Sequence, residues 1–186
     1  MKLYYEVIVT DRHGKVVFRE SRASRSWLVA YNQLVYGGMS GSGQSVKCTD
    51  GVNHTQSTTY DLLLVARPAG YDDRGCVVGS GITPVTINDY KLDAQINHGM
   101  GPGQLEHYDC TIIYPPSVVG SQCSFQVKRI FHNASGGPVT VREIGIYGSI
   151  SNYYDACIVR DVLGAGAPIP HGGAITVIYT VRAVAS

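Results

Sequence analysis

The chain has 186 residues and a nearly balanced charge, with 15 Lys and Arg against 14 Asp and Glu. This length fits one domain that can bury a core without disulfides or metal ions. The net charge of +1 provides no long-range field for nucleic acid or an anionic membrane, so we expect neither as a partner. Charged residues are only 16% of the chain, whereas 22 glycines and 13 tyrosines are many, which favours turns, short strands and surfaces that contact other proteins.

The chain begins with a predicted β-hairpin. Apolar and polar side chains alternate over residues 3–10 with the period of two that a strand requires, and a turn at 11–14 leads into a returning strand at 15–20. The first ten residues lack the apolar core of a signal peptide, and no apolar run reaches the roughly 18 residues of a membrane helix. We therefore expect a protein that is made and used without Sec export.

One helix is predicted after the hairpin. Ser24 is placed to cap its start, Gly37-Gly38 is expected to end it, and its apolar stripe consists of Trp27, Leu28, Tyr31, Leu34 and Val35. The glycine- and serine-rich residues 37–45 then form a loop. Too few residues precede this loop for an independent core, so we expect it to lie within one domain.

From residue 46 onward the pattern indicates many short strands separated by glycine or proline turns. The expected strands are 60–66, 76–78, 82–87, 104–114, 121–131, 139–148, 156–162 and 174–184. Segments 121–131 and 139–148 are expected to pair through a turn at 133–137. We predict one mainly β domain over 1–186, an antiparallel β-sandwich or barrel of jelly-roll or immunoglobulin-like style. In it, 1–36 forms the hairpin and helix, 37–45 the loop, and 46–186 the main sandwich.

The five cysteines indicate buried thiols. They are odd in number and contain no C-x-x-C pair, which disfavours a disulfide framework or a zinc site: Cys48, Cys76, Cys110, Cys123 and Cys157. A cross-link between subunits stays open, because thiols can oxidise outside the reducing cytosol.

Few residues are candidates for chemistry. His98 and His107, with Glu106 beside the latter, come near one another in sequence, but we expect them on different elements and therefore expect no metal site. Asp72, Asp73 and Glu106 are the carboxylates on which a hydrolase activity would depend. No G-x-S-x-G elbow occurs in the sequence. We predict a protein that is not an enzyme, with no catalytic, cofactor-binding or metal residues.

Two further groups of residues are candidates for contacts with partners. Tyr153 and Tyr154 lie in a predicted loop, where they suit either sugar stacking or a subunit interface, and we favour the interface. Arg19, Arg22 and Arg25 precede Trp27 near the helix start. We expect these arginines to face solvent or a partner subunit rather than nucleic acid.

Arg142, Glu143 and Gly145 stand out within a strand pattern. Adjacent strand residues point to opposite faces, so Arg142 and Glu143 cannot pair with each other, and each needs its own partner on a neighbouring strand or subunit. Gly145 between two isoleucines indicates a position where another part of the chain approaches closely.

The C-terminal third carries four linked motifs. They are F-x-N-x-S-G-G at 131–137, V-x-E-I-G-I-Y at 141–147, I-x-R-D at 158–161 and G-G-x-I-T-V-x-Y-T at 172–180. This pattern, over 125–147, 158–163 and 169–181, resembles structural proteins of tailed bacteriophages, and segments 24–27 and 77–90 extend the resemblance upstream. The family brings no catalytic or ligand-binding residues.

The resemblance implies a non-enzymatic virion component, associated with tail, collar or fibre and located in the virion. Its expected partners are further copies of itself, as a homo-oligomer, and other capsid, neck or tail proteins. The alternatives are a capsid decoration (cement) protein and a carbohydrate- or receptor-binding β-module of the virion.

Overall fold

The computed structural model describes residues 1–57, 63–151 and 153–185, with the backbone alone at positions 114 and 115. Strands account for 52% of the chain and helix for 7%, which confirms the predicted mainly β class with one helix near the N-terminus. The elements are β1 (Lys2–Thr10), β2 (Val16–Ser24), α1 (Val29–Ser40), β3 (Ser45–Lys47), β4 (Asn53–Thr55), β5 (Gly75–Gly79), β6 (Glu106–His107), β7 (Thr111–Val119), β8 (Gln122–His132), β9 (Val139–Ser149), β10 (Asp155–Ile169) and β11 (Ala174–Val184).

Two antiparallel sheets pack as a sandwich. The large sheet has the order β2-β1-β11-β8-β6, with β7 also paired to β8, and the small sheet has the order β10-β9-β5. A short pair, β3-β4, lies apart from both. Among the described residues there is no helix with the length and apolarity needed to cross a bilayer.

The predicted hairpin between 121–131 and 139–148 is wrong, although both strands exist. Strand β8 pairs with β11 and β7 in the large sheet, while β9 pairs with β10 and β5 in the small one. The connection therefore crosses between the sheets. Asn133 fixes it, because this fully buried side chain donates from Nδ2 to the Gly137 and Ile169 carbonyls at 2.9 and 2.8 Å.

The main core lies between the two sheets. Alternate residues of the large sheet point into it, as the strand period requires, among them Leu3, Tyr5, Val7 and Val9 of β1 and Ile175, Val177 and Tyr179 of β11. A second, smaller core covers the outer face of the small sheet and contains Leu28, Val77, Leu92, Tyr147 and Cys157. Each such buried side chain stabilises the fold by roughly 1.5–3 kcal/mol.

The helix begins and ends later than predicted. It starts at Val29 after Leu28, because Ser24 still belongs to β2 and its hydroxyl donates to Asp161 Oδ1 at 3.0 Å. It continues through Gly37-Gly38 and stops at Gly41, whose φ of 66° is left-handed. Gly37 stays helical because it packs against Gln56, and a Cβ there would meet Gln56 Oε1 at 2.0 Å. The predicted 37–45 loop is therefore reduced to its second half.

Other strand predictions had mixed outcomes. Residues 76–78 and 174–184 are strands, as expected, within β5 and β11. Residues 82–87 are not a strand but part of a long segment that crosses the small sheet. Of the expected strand 60–66, residues 60–62 lie outside the described part and 63–66 are not extended in a sheet.

Candidate interaction surface

Arg142 and Glu143 point to opposite faces of β9, as predicted: Arg142 is exposed and Glu143 is fully buried. Both oxygens of the Glu143 carboxylate are occupied. Oε1 accepts the backbone N–H groups of Gly81 and Ala94 at 3.1 and 2.7 Å, and Oε2 accepts that of Asp93 at 3.0 Å. The partner of Glu143 is therefore the segment that covers the small sheet.

Arg160 on β10 completes this arrangement. Its Nε donates to Glu143 Oε2 at 2.8 Å, its Nη1 to Asp89 Oδ2 at 2.7 Å, and its Nη2 to Thr83 Oγ1 at 2.9 Å. Burial alone would raise the pKa of Asp89, but hydrogen bonds from Thr86 and the Arg160 charge lower it overall. We call Glu143, Arg160 and segment 81–94 the clamp. Its buried charges are paired and hydrogen-bonded, as buried charges must be if they are not to destabilise the fold.

The carboxylates considered for hydrolysis do not converge. Asp73 is held by Arg67, with Nε to Oδ1 at 2.8 Å, and Glu106 by the His132 ring at 2.8 Å. Asp72 accepts the backbone N–H of His98 at 2.9 Å. Within 1–57, 63–151 and 153–185, no group of three His, Cys, Asp or Glu side chains is arranged to hold a metal ion.

His98 and His107 lie on different elements, as expected, because His107 is in β6 and His98 precedes that strand, yet the structure brings their rings together. Their rings meet edge to face with centroids 5.7 Å apart, and His98 Nδ1 accepts the backbone N–H of His107 at 3.0 Å. His107 is buried, and neither of its ring nitrogens makes a hydrogen bond of normal geometry in the described part of the chain. Burial, together with the charge of Arg129, lowers the pKa of His107 to about 4, so the ring is neutral at pH 7.

Tyr153 and Tyr154 do not form a paired platform. Tyr154 stacks on His54 with ring centroids 3.5 Å apart, which covers one of its faces, whereas Tyr153 is 87% exposed. Near the helix start, Arg19 pairs with Glu6 and Arg22 with Glu20, so these arginines lie on the surface of the large sheet in ion pairs.

The large sheet continues beyond the region that the small sheet covers. Along the inner face of β8, Phe131 and Val127 are 0% and 3% exposed, but Phe125 is 37% exposed and Cys123 is exposed. On neighbouring β11, Tyr179 is buried and Ala183 exposed. The inner face of the sheet thus loses its cover towards this end, while its apolar character continues.

Strand register shows which side chains share this uncovered face. Directly opposed residues of an antiparallel pair lie on the same face. Val118 opposes Cys123, which opposes Ala183; Ile112 opposes Val127, and Val181 opposes Phe125. We call the resulting surface the overhang; it consists of Ile112, Val118, Cys123, Phe125, Val181 and Ala183.

A groove continues from the overhang into the sandwich. It has a volume of about 260 Å³ and an almost wholly apolar lining that includes Trp27, Tyr31, Ile146 and Ile158. Trp27 and Tyr31 pack together with ring centroids 3.9 Å apart. The groove and the overhang together form an apolar surface of a kind that marks interaction sites in soluble proteins.

The free edge of β7 is poorly suited to strand pairing. It pairs only with β8 among the described strands, and Pro115-Pro116 removes two backbone donors from its middle. Contact with a partner is therefore expected through the face of the overhang, not through added strands.

Sequence reasoning missed Arg129 and Arg160, the two largest fully buried side chains. Arg129 donates to the carbonyls of Tyr108, Arg74 and Cys76 at 2.7, 3.1 and 3.1 Å. A signal was present, because Arg129 occupies an inward position between Val127 and Phe131 in an alternating strand. Arg160 likewise interrupts an apolar run in β10.

Comparisons with protein-family models, with curated proteins and with solved structures found no match for this chain.

Proposed function

We propose that the protein is a non-enzymatic structural component of a phage virion, associated with tail, collar or fibre. In this proposal it assembles with further copies of itself and with other virion proteins through the overhang. The motif pattern in the C-terminal third supports the virion role. The observation that carries the assembly role is the overhang, an apolar sheet face that the described chain leaves open.

The overhang is costly to leave in water. Val118 is 71% exposed, Ile112 40% and Phe125 37%, and all three lie on one face. Fully burying a side chain of this kind is worth roughly 1.5–3 kcal/mol, so a partner that covers the face gains a substantial part of that for each residue. A second copy can supply the same apolar face, which suits a symmetric, self-complementary contact.

The state of the polar residues also favours a structural role. The carboxylates that a hydrolase would use are bound to Arg67, His132 and the His98 backbone rather than facing a common space. Glu143, the most deeply buried acid, holds a covering segment in place. These groups have partners within the chain, whereas much of the apolar overhang is exposed among the described residues.

Mass spectrometry of purified particles of the phage that encodes the chain tests the proposal. We expect the protein in the particles at a constant ratio to the major capsid protein after gradient purification. A non-structural protein of the same phage serves as the control for contamination. Absence from particles, or loss in parallel with that control, would contradict a virion role. A copy number of a few to a dozen supports a collar, tip or fibre position, and hundreds support capsid decoration or tail tube.

A further inference from the structure

Cys76 and Cys110 form a buried pair of thiols. They are 0% and 2% exposed, and Cys110 Sγ accepts the backbone N–H of Cys76 at 3.2 Å. The Cys76 thiol itself donates to the Val127 carbonyl at 3.8 Å. A Cβ built on Gly75 would lie 2.7 Å from both the Cβ and the Sγ of Cys110, so the two backbone segments approach very closely here. A disulfide joins cysteines whose backbones lie this close, and the Cys110 sulfur already touches the backbone of Cys76.

The surroundings give the two sulfurs different character. Interaction with the Cys76 thiol, the hydrogen bond from the Cys76 backbone N–H and the charge of Arg129 together lower the pKa of Cys110 against the opposing effect of burial. Interaction with the Cys110 thiol and burial raise the pKa of Cys76. Of the two sulfurs, Cys110 is therefore the one that ionises more readily.

Cys110 is 2% exposed and lies next to a depression in the protein surface. A surface depression of about 440 Å³ is bordered by Cys110 together with Arg67, Pro68, Asp109 and Thr111. The other buried thiols are less reactive, since burial raises the pKa of Cys48 to about 11 and also raises that of Cys157. Cys123 is exposed but lies on the overhang, without a second cysteine that the structure places against it.

We propose that Cys76 and Cys110 are a peroxide-sensitive pair that closes to an intramolecular disulfide. The Cys110 thiolate attacks one oxygen of hydrogen peroxide, so an S–O bond forms, the O–O bond breaks, and hydroxide leaves and is protonated to water. The Cys76 thiol loses its proton as its sulfur attacks the Cys110 sulfenic acid, and the S–O bond breaks with release of a second water. Two thiols are oxidised to one disulfide, and one peroxide is reduced to two waters.

The cross-link joins the two halves of the sandwich. Cys76 lies in β5 of the small sheet, and Cys110 directly precedes β7 of the large sheet. The loop that this disulfide closes, from Cys76 to Cys110, contains segment 81–94 of the clamp. We expect the melting temperature to rise by about 5–10 °C in the oxidised protein.

The test uses the full chain carrying Cys123→Ser, which removes the exposed thiol. After treatment with equimolar hydrogen peroxide, intact mass spectrometry is expected to show the loss of two hydrogens. A tryptic digest without reductant is expected to join peptides 75–91 and 92–128, and each of these then contains a single cysteine. Reductant is expected to restore both the mass and the original melting temperature.

Variants of each cysteine separate their roles. Cys76→Ser is expected to leave a sulfenic acid on Cys110 that dimedone traps, whereas Cys110→Ser is expected to leave Cys76 unmodified. Two outcomes in the Cys123→Ser parent protein would overturn the proposal. One is sulfinic acid on Cys110 while Cys76 stays free, and the other is no reaction at either cysteine. Because both outcomes are read from the parent protein, the test remains decisive even where a serine variant folds poorly.

Discussion

The clamp on the small sheet and the overhang on the large sheet both lie outside the main core, and they differ in how their groups are satisfied. In the clamp, Glu143 receives three backbone N–H groups and the Arg160 guanidinium, all from the same chain. In the overhang, Val118 and Phe125 are 71% and 37% exposed on one apolar face of the large sheet. The groups of the clamp are paired within the chain, whereas the overhang is the surface through which we propose that the protein assembles.

This difference separates two kinds of sequence constraint. A change in the clamp alters the stability of the single chain, because it removes one member of a buried charge network. A change in the overhang is expected to leave the single chain nearly as stable and, under the proposed function, to alter its association. Stability and association, measured side by side, therefore distinguish the regions.

The largest effect is expected from Glu143→Gln. The amide keeps the shape but loses the charge that balances buried Arg160, and its NH₂ group cannot accept the N–H groups that one carboxylate oxygen now receives. We expect the free energy of unfolding to fall by about 3–5 kcal/mol, measured by urea denaturation. The neighbouring change Arg142→Gln, on the exposed face, is the matched control and is expected to stay within about 0.5 kcal/mol. Equal effects of the two changes would show that the clamp is not the stabilising device.

His107 is buried, as the charged groups of the clamp are, but among the described residues its ring nitrogens lack the hydrogen bonds that those groups make. Its folded pKa of about 4 lies below the usual unfolded value of about 6.5, so the unfolded chain binds the extra proton between these values. Stability is therefore expected to fall as pH drops from about 6.5 to about 4, by about 2–3 kcal/mol from this group. His107→Leu removes that loss.

The pH experiment is read as a difference between proteins. Buried Asp155 and Asp161 have raised pKa values, chiefly through burial, and gain stability on protonation, so they partly mask His107 in the wild type. Urea denaturation of wild type and His107→Leu across this range removes the shared contribution. His13→Leu, at an exposed histidine, is expected to follow the wild type. A parallel pH profile for His107→Leu would contradict the assignment.

Replacing Gly145 is expected to lower stability less than the change at Glu143. A Cβ at this position would lie 2.7 Å from the Val159 carbonyl oxygen and 3.0 Å from a Leu92 methyl group, so the predicted close approach is present. Gly145→Ala is expected to lower the free energy of unfolding by about 1–3 kcal/mol through overpacking against backbone. Gly137→Ala, where a Cβ would meet nothing within 4 Å, is the control. An unchanged melting temperature for Gly145→Ala would show that the sheet adjusts freely.

Many strands, and the close packing at Gly145, could be predicted from the sequence because they depend on the local residue pattern. Alternation over residues 174–184 gives β11 directly, and a glycine between isoleucines signals a close neighbour. The assignment of β8 and β9 to different sheets was not accessible, because strand pairing is non-local and Asn133 turns the chain through contacts with Ile169. The backbone N–H groups that Glu143 accepts lie 49 to 62 residues away along the chain, and Arg160 lies 17 residues away, so no spacing rule could identify them.

The overhang was also beyond sequence reasoning, since an alternating strand looks the same whether its apolar face is covered or open. Phe125 and Phe131 occupy equivalent inward positions on β8, and only the extent of the small sheet makes one 37% exposed and the other fully buried. Tyrosine content and low charge indicated an interface in general, but the open face consists of valine, isoleucine, phenylalanine, alanine and cysteine.

The smallest effect on stability, and the clearest effect on assembly, is expected from Val118→Asp. A carboxylate on the overhang must be desolvated when a second copy covers it, so self-association is expected to weaken by about tenfold or more. The free energy of unfolding is expected to change by no more than about 0.5 kcal/mol, because Val118 is 71% exposed in the monomer. Val16→Asp adds the same charge at a valine that is 52% exposed at the opposite end of the large sheet, and it is expected to leave association unchanged. Sedimentation velocity over a concentration series measures both variants. If both variants weakened association equally, the added charge and not the overhang would govern it. The proposed contrast between the clamp, which is satisfied within the chain, and the overhang, which awaits a partner, would then be wrong.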